Sequence, residues 1–128
     1  MASLRYEVQI GRDPNDVWNV VSDAGSVSEW FPLIEKSDAY DGKRTIVLQG
    51  GAKVEEDIVT NDPKLRRFQY RITGGDFPVD FHLGTIDVIA VDNGSLVIYG
   101  TEIRPDALAD VIGPATADAL ANLRVHLG

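Results

Sequence analysis

HLGTIDVIAVDNGSLVIYGTEIRPDALADVIGPATADALANLRVHLG, residues 82–128, is the stretch that decides how this chain folds. His82–Val91 alternates apolar and polar residues as a half-buried strand does, and Leu96–Arg104 does the same. Between them stands Asn93-Gly94, a dipeptide suited to the positive φ angles of a two-residue hairpin turn. The period then changes. Leu108, Val111, Ile112, Ala115, Ala119, Leu120, Leu123 and Leu127 recur at steps of three and four, which is one apolar face of a long helix. Asp106 is the expected N-cap. Gly113-Pro114 should bend this helix or split off its first turn.

Working back toward the N-terminus, strands and turns alternate. Arg67–Thr73, Lys53–Thr60, Arg44–Leu48 and Ile34–Tyr40 read as strands. They are separated by Asn61-Asp62-Pro63, Gly50-Gly51 and the hairpin signal Asp41-Gly42. Two short helices precede them. In RDPNDVWNVV, Asp13 can cap, Pro14 suits the first turn, Asp16 favours the N-terminal end of the dipole, and Gly25 can end the segment. In SVSEWFP, Ser26 and Glu29 have the spacing of a capping box, and Pro32 stops the helix. Leu4–Ile10 is the first strand.

The order is therefore one strand, two short helices, six strands and a long helix. Short turns make consecutive strands antiparallel neighbours. Such a sheet needs one face covered, and only the C-terminal helix is long enough to cover it. The expected fold is α+β: a curved seven-stranded antiparallel sheet wrapped around the last helix, with a small apolar ligand held between them.

Composition narrows the function. The chain has 128 residues, fit for one domain over residues 1–128, and 44% of them are hydrophobic. It has no cysteine, which rules out disulfides, thiolate catalysis and cysteine-ligated zinc. Its net charge of −8 disfavours nucleic acid and anionic membranes as partners. Lys64, Arg66 and Arg67 form a small basic group at a turn, read as solvated surface. The N-terminus lacks the apolar core of a secretion signal and no run is long enough to span a bilayer, so a cytoplasmic protein is expected. Two distant histidines with no acidic cluster at helical spacing make no metal site, and the glycine pairs match no phosphate loop. No cofactor is expected.

Strand period selects the side chains that enter the pocket. Val54, Glu56 and Ile58 share one face, opposite Lys53, Glu55 and Asp57. His82, Gly84, Ile86, Val88 and Ala90 face inward on their strand, and Asp87 faces water. Phe68, Tyr70 and Ile72 share a face, as do Val97, Tyr99, Thr101 and Ile103. Trp30 and Phe31 are placed at the pocket entrance, Trp18 in the core, and Ile112 and Leu120 on the helix face that closes the pocket. Glu56 is an acid among apolar neighbours. It is either a general acid or base or one half of an ion pair with an arginine at the rim. His82 is either a proton-transfer group or a hydrogen-bonded wall residue. Tyr70 and Tyr99 either orient a carbonyl or pack with their hydroxyls at the rim. His126, near the helix end, faces the last carbonyls.

Several strings resemble one family. DPNDVWNVVSDAGSVSEWFPLIEKSDAYDG (13–42) is similar to the opening of the polyketide cyclase/dehydrase and lipid transport branch of the START-like (SRPBCC, helix-grip) superfamily. VEEDIVTND (54–62), FQYRI (68–72), FPVDFHLGTIDV (77–88) and VIYGTEIRP (97–105) resemble its later strands. His82 stands where relatives often carry Tyr, and Tyr99 where they often carry Trp, so both pocket walls depart from the pattern. The resemblance implies a helix-grip fold and an internal pocket. Its members include enzymes and plain binders. Two functions stay open. One is an enzyme that cyclises, dehydrates or isomerises a polyketide-like or aromatic substrate, with His82 as base or acid, Glu56 its partner and Tyr70 or Tyr99 a donor. The other is a non-catalytic carrier or sensor of a lipid-like metabolite. A cone-shaped ketosteroid-isomerase-like fold is disfavoured because the longest helix comes last.

Overall fold

A computed structural model describes residues 1–128. Seven strands are formed: β1 (Ala2–Ile10), β2 (Ile34–Tyr40), β3 (Lys43–Leu48), β4 (Lys53–Asp62), β5 (Arg67–Gly75), β6 (Phe81–Val91) and β7 (Gly94–Arg104). They make a single antiparallel sheet in the order β1-β7-β6-β5-β4-β3-β2. β1 is separated from β2 by two helices and pairs with the last strand, so the sheet is a meander from β2 to β7 with the first strand added at its β7 edge. Between β1 and β2 lie α1 (Pro14–Val21) and a 3₁₀ helix (Ala24–Glu29). The C-terminal helix α2 (Ala109–Leu127) packs against β1 and β7. This is the helix-grip architecture.

Alternation does what strand geometry requires. On β7, Ser95, Val97, Tyr99, Thr101 and Ile103 are buried and their neighbours are not. α1 begins as its sequence predicts: the Asp13 side chain accepts the Asn15 N–H at 2.8 Å, Pro14 opens the helix, and Val17, Trp18 and Val21 are buried. At Asp41-Gly42 both φ angles are positive, 50° and 73°, which is the geometry that joins β2 to β3 in two residues.

Several local expectations are corrected. Ser26 and Glu29 form no capping box. The 3₁₀ helix is entered at Asp23, whose carboxylate accepts the Ser26 hydroxyl at 2.6 Å, while α1 ends at Ser22 rather than Gly25. Asp106 does not cap α2. It lies in a 3₁₀ turn, Asp106–Leu108, and pairs with the N-terminal amine at 3.1 Å. α2 is continuous through Pro114, so Gly113-Pro114 splits off no first turn. This proline removes one bond near the helix start, and packing restores the loss: a Cβ on Gly113 would stand 2.9 Å from the Tyr6 hydroxyl, so the missing side chain lets the helix lie close on β1. Ala90 is exposed, as are Ile89 and Val91, because the β6–β7 hairpin tip extends past the core. No helix is long and apolar enough to cross a membrane.

Candidate functional site: a cavity with one polar end

Between sheet and helix lies a cavity of about 60 Å³, lined by 17 residues of which 13, the tyrosines Tyr70 and Tyr99 among them, are hydrophobic. The apolar part is drawn from Val27 of the 3₁₀ helix, Phe31 and Leu33 after it, Ile34 of β2, Ile46 and Leu48 of β3, Val54 of β4, Ile72 of β5, Phe77 in the β5–β6 loop, and Val111 and Ile112 of α2. Val111 is half exposed and marks the mouth. The polar part is Arg44, Glu56, Tyr70, His82, Tyr99 and Thr116. Thr116 donates to the Ile112 carbonyl one turn back, which leaves its methyl for the cavity.

Arg44 and Glu56 are directly opposite in the β3–β4 register, and the Arg44 Nε donates to Glu56 Oε1 at 2.6 Å. Both are buried, 4% and 3% exposed, so the pair is shielded from water and from salt. Arg44 also donates to the Ala24 carbonyl at 3.2 Å, and its guanidinium lies over the Tyr70 ring, 4.8 Å from the centroid. Burial pushes the Glu56 carboxyl up, and the Arg44 charge and hydrogen bond only partly offset this.

Tyr70 and Tyr99 share a hydrogen bond through their hydroxyls, with the rings edge to face. Burial and then the Glu56 charge raise Tyr70 to about 12. Burial and then Tyr70 itself raise Tyr99 well above its ordinary value. Both stay protonated at neutral pH. One hydroxyl donates to the other, so the second keeps a free O–H.

His82 accepts the Ile72 N–H at its Nδ1, 3.1 Å away. That bond places the ring proton on Nε2. Burial, then Arg44, then Arg71 lower its pKa to about 4. At neutral pH it is therefore a fixed, uncharged donor.

Each residue singled out in the sequence has a definite place. Glu56, Tyr70, His82, Tyr99, Phe31, Val54 and Ile112 line the cavity. Phe68, Ile86, Val88, Thr101 and Leu120 are buried on the inner side but do not reach it, because they sit along the packed part of the interior. Trp30 is not at the entrance. It is 2% exposed in the core, tilted against Phe31, with its backbone carbonyl held by the Asn122 side chain. Ile58 is only partly buried and lies off the cavity, just before the point where the extra, unpaired Val59 bulges β4. The tyrosine hydroxyls meet inside rather than at the rim. Glu56 pairs with an arginine, but in the interior, and its partner is Arg44 rather than His82.

Arg44 is the residue that sequence reading missed. A partial signal existed: Arg44 alternates in phase with Ile46, but its pairing with Glu56 needs a hairpin centred on Gly50, whereas a turn centred on Gly50-Gly51 would set it against Asp57.

A seven-stranded sheet gripping a C-terminal helix, with a mostly apolar cavity between them, defines the class of helix-grip proteins. The sequence places the chain more closely. It matches the family described as polyketide cyclase / dehydrase and lipid transport over residues 1–126, and it belongs to that family. Among solved structures it is similar to the protein XoxI from Bacillus cereus, with 24% identity over 99% of this chain and 96% of that one and a TM-score of 0.91. A Thermobifida fusca protein is 25% identical over 100% and 94% of the two chains, with a TM-score of 0.84. Ara h 8.0201 shares 15% identity over 98% and 97%, with a TM-score of 0.77. No curated protein matches the sequence.

Proposed function

We propose that the chain binds a small, mostly apolar, uncharged molecule carrying one carbonyl-type acceptor, held with that acceptor toward the polar end of the cavity. The observation that carries this reading is the clustering of the polar lining: Arg44, Glu56, Tyr70, His82 and Tyr99 are all buried and contact one another, while the exposed lining residue, Val111, is apolar. His82 Nε2–H and the free tyrosine O–H are already oriented by Ile72 and by the tyrosine pair, so little ordering is left for binding to supply. An uncharged ligand fits because Arg44 and Glu56 already balance each other. An added carboxylate would leave one buried negative charge unmatched.

The resting cavity, at about 60 Å³, is below the several hundred Å³ of a filled ligand site. Binding therefore moves the side chains at the mouth, Val111 and Phe77 first. The family's description, which pairs cyclase and dehydrase chemistry with lipid transport, agrees with an apolar ligand.

A second reading adds chemistry to the same pose. Glu56, with its carboxyl pushed up by burial, is a candidate base beside donors placed to hold a developing enolate. His82 supports this as a donor and not as the base.

A matched series tests the binding reading: methyl naphthyl ketone, the corresponding carbinol, naphthoate and ethylnaphthalene, measured by calorimetry. The expected order puts the ketone first, with the hydrocarbon and naphthoate each weaker by about tenfold. Equal affinity across the series, or preference for naphthoate, contradicts it. Ketone recovered unchanged after incubation supports binding alone, and exchange of its α-hydrogens in deuterated water, lost in Glu56→Gln, supports the catalytic reading.

A further inference from the structure

The middle of β6 carries a glycine that strand geometry does not ask for. Gly84 lies within the continuous β6–β7 ladder and is the last β6 residue, toward Phe81, that pairs with β5. Glycine weakens a strand interior, and its presence there marks a close approach by another group. That group is Tyr70. A Cβ at position 84 would stand 2.5 Å from Tyr70 Cε1, 2.5 Å from Cζ and 2.9 Å from the hydroxyl oxygen. Tyr70 is the direct cross-strand partner of Gly84 on β5, and Tyr99 is on β7, the strand beyond. The Tyr70 ring thus lies flat across β6, over the missing side chain, and its hydroxyl reaches Tyr99 on the far side.

The other sides of the ring are occupied. The Arg44 guanidinium lies 4.8 Å from its centroid and the His82 ring 5.2 Å. With a side chain at position 84, the ring has one direction left, into the cavity.

We propose that Gly84 is the specificity-determining position of this site: its missing side chain is the niche that keeps Tyr70 against the sheet, and so sets both the depth of the cavity and the place of the tyrosine donor. Gly84 touches no ligand. It is a positioning residue that acts through Tyr70. The proposal rests on the reading of the cavity as a ligand site, and it extends that reading by naming what limits ligand length: a ligand reaches the closed end only because residue 84 has no Cβ.

The test compares wild type, Gly84→Ala and Gly84→Ala/Tyr70→Leu, with two readouts. The first needs no ligand: carbon-labelled tyrosine NMR, which reports the Tyr70 and Tyr99 ring environments and their hydroxyl bond. The second is affinity for methyl naphthyl ketone. In Gly84→Ala the signals of both tyrosines shift and the hydroxyl bond is lost, and affinity falls roughly tenfold or more. In the double variant, leucine no longer fills the space above residue 84, and a large part of the affinity returns. Unmoved tyrosine signals in Gly84→Ala overturn the proposal, as does unchanged affinity once the ring has moved. If Gly84→Ala does not fold, recovery of folding in the double variant supports the proposal, and failure of both variants overturns it. If wild type binds no ketone, the ligand reading falls and the specificity claim falls with it, while the NMR readout alone still decides whether Gly84 positions Tyr70.

Discussion

The two halves of α2 look onto different interiors. Its C-terminal half places Leu120, Leu123 and Leu127 in the hydrophobic core with Ile10, Val17, Val21, Val88 and Val97, none of which lines the cavity. Its N-terminal half places Val111, Ile112 and Thr116 over the cavity, opposite Arg44, Glu56, Tyr70, His82 and Tyr99. One sheet and one helix frame both regions. Where apolar side chains fill the space, the region contributes stability and little else. Where strand positions carry polar groups, each group needs a partner, packing is incomplete, and the residual space and free donors are what a ligand can use.

The largest effect expected at the polar end is from Arg44→Met. It strands the Glu56 carboxylate in the interior and costs about 3–5 kcal/mol at pH 7, measured by urea denaturation. Without the guanidinium the Glu56 carboxyl rises further and takes up a proton more readily. The loss therefore shrinks as pH is lowered, and adding Glu56→Leu recovers most of it. A loss at pH 7 that does not diminish in acid contradicts the pairing as described.

Leu123→Ala probes the other half. A fully buried leucine cut to alanine costs about 2–5 kcal/mol, and here the cost is expected to be the same across pH, because Leu123 is an apolar residue that does not line the cavity where Arg44, Glu56 and His82 sit. Combined with Arg44→Met, the two losses add to within about 0.5 kcal/mol if the regions are separate. Strong coupling between them breaks the comparison.

His82→Gln gives the next effect, and its sign can be worked out. The folded-state pKa is lowered to about 4 from 6.5. Between those values the unfolded chain binds more protons than the folded one, so wild-type stability rises with pH from about 4 to 6.5 and is fully present above that. The amount is about 3 kcal/mol. Glu56, with its pKa raised, works the opposite way: it costs stability as pH rises above 4.5. Replacing His82 should therefore flatten the acid limb, with the Glu56 slope left visible. An unchanged acid limb, followed by circular dichroism in urea across pH, contradicts the buried neutral imidazole.

The smallest effect separates mouth from surface. Val111 and Val125 are exposed valines on opposite halves of α2. Replacing either by Ser changes stability by no more than about 0.5 kcal/mol. Only Val111→Ser should alter affinity for methyl naphthyl ketone, since only Val111 lines the cavity.

The same contrast explains what could be read without coordinates. Period two put Glu56, Tyr70, His82 and Tyr99 on the inner face, and all four line the cavity. The same reasoning chose Phe68, Ile86, Val88 and Thr101, which share that face yet lie in the packed region. Alternation reports which side of a sheet a residue faces. It does not report how far along the strand the filled core gives way to space, because that depends on the sheet's curvature and on where the helix crosses. Irregular backbone defeats the pattern outright at Trp30, which follows a 3₁₀ helix. Arg44 was missed for a different reason. A cation in a strand reads as surface until its partner is known, and the partner is visible only through the register of the β3–β4 hairpin. Gly84 reads as a weak point in a strand, and its meaning depends on a ring from the neighbouring strand.

The central claim is that one half of this interior is a ligand site and the other is structure. Titration of isotope-labelled protein with methyl naphthyl ketone, followed residue by residue through backbone amide shifts, tests it directly. The account predicts saturable shifts at Ile72, whose N–H is held by His82, and at Val54, Phe77 and Ile112, with Val21, Leu123 and Leu127 unmoved. Shifts centred on the packed half or on the outer face of the sheet, or no saturable shifts at all, would contradict it.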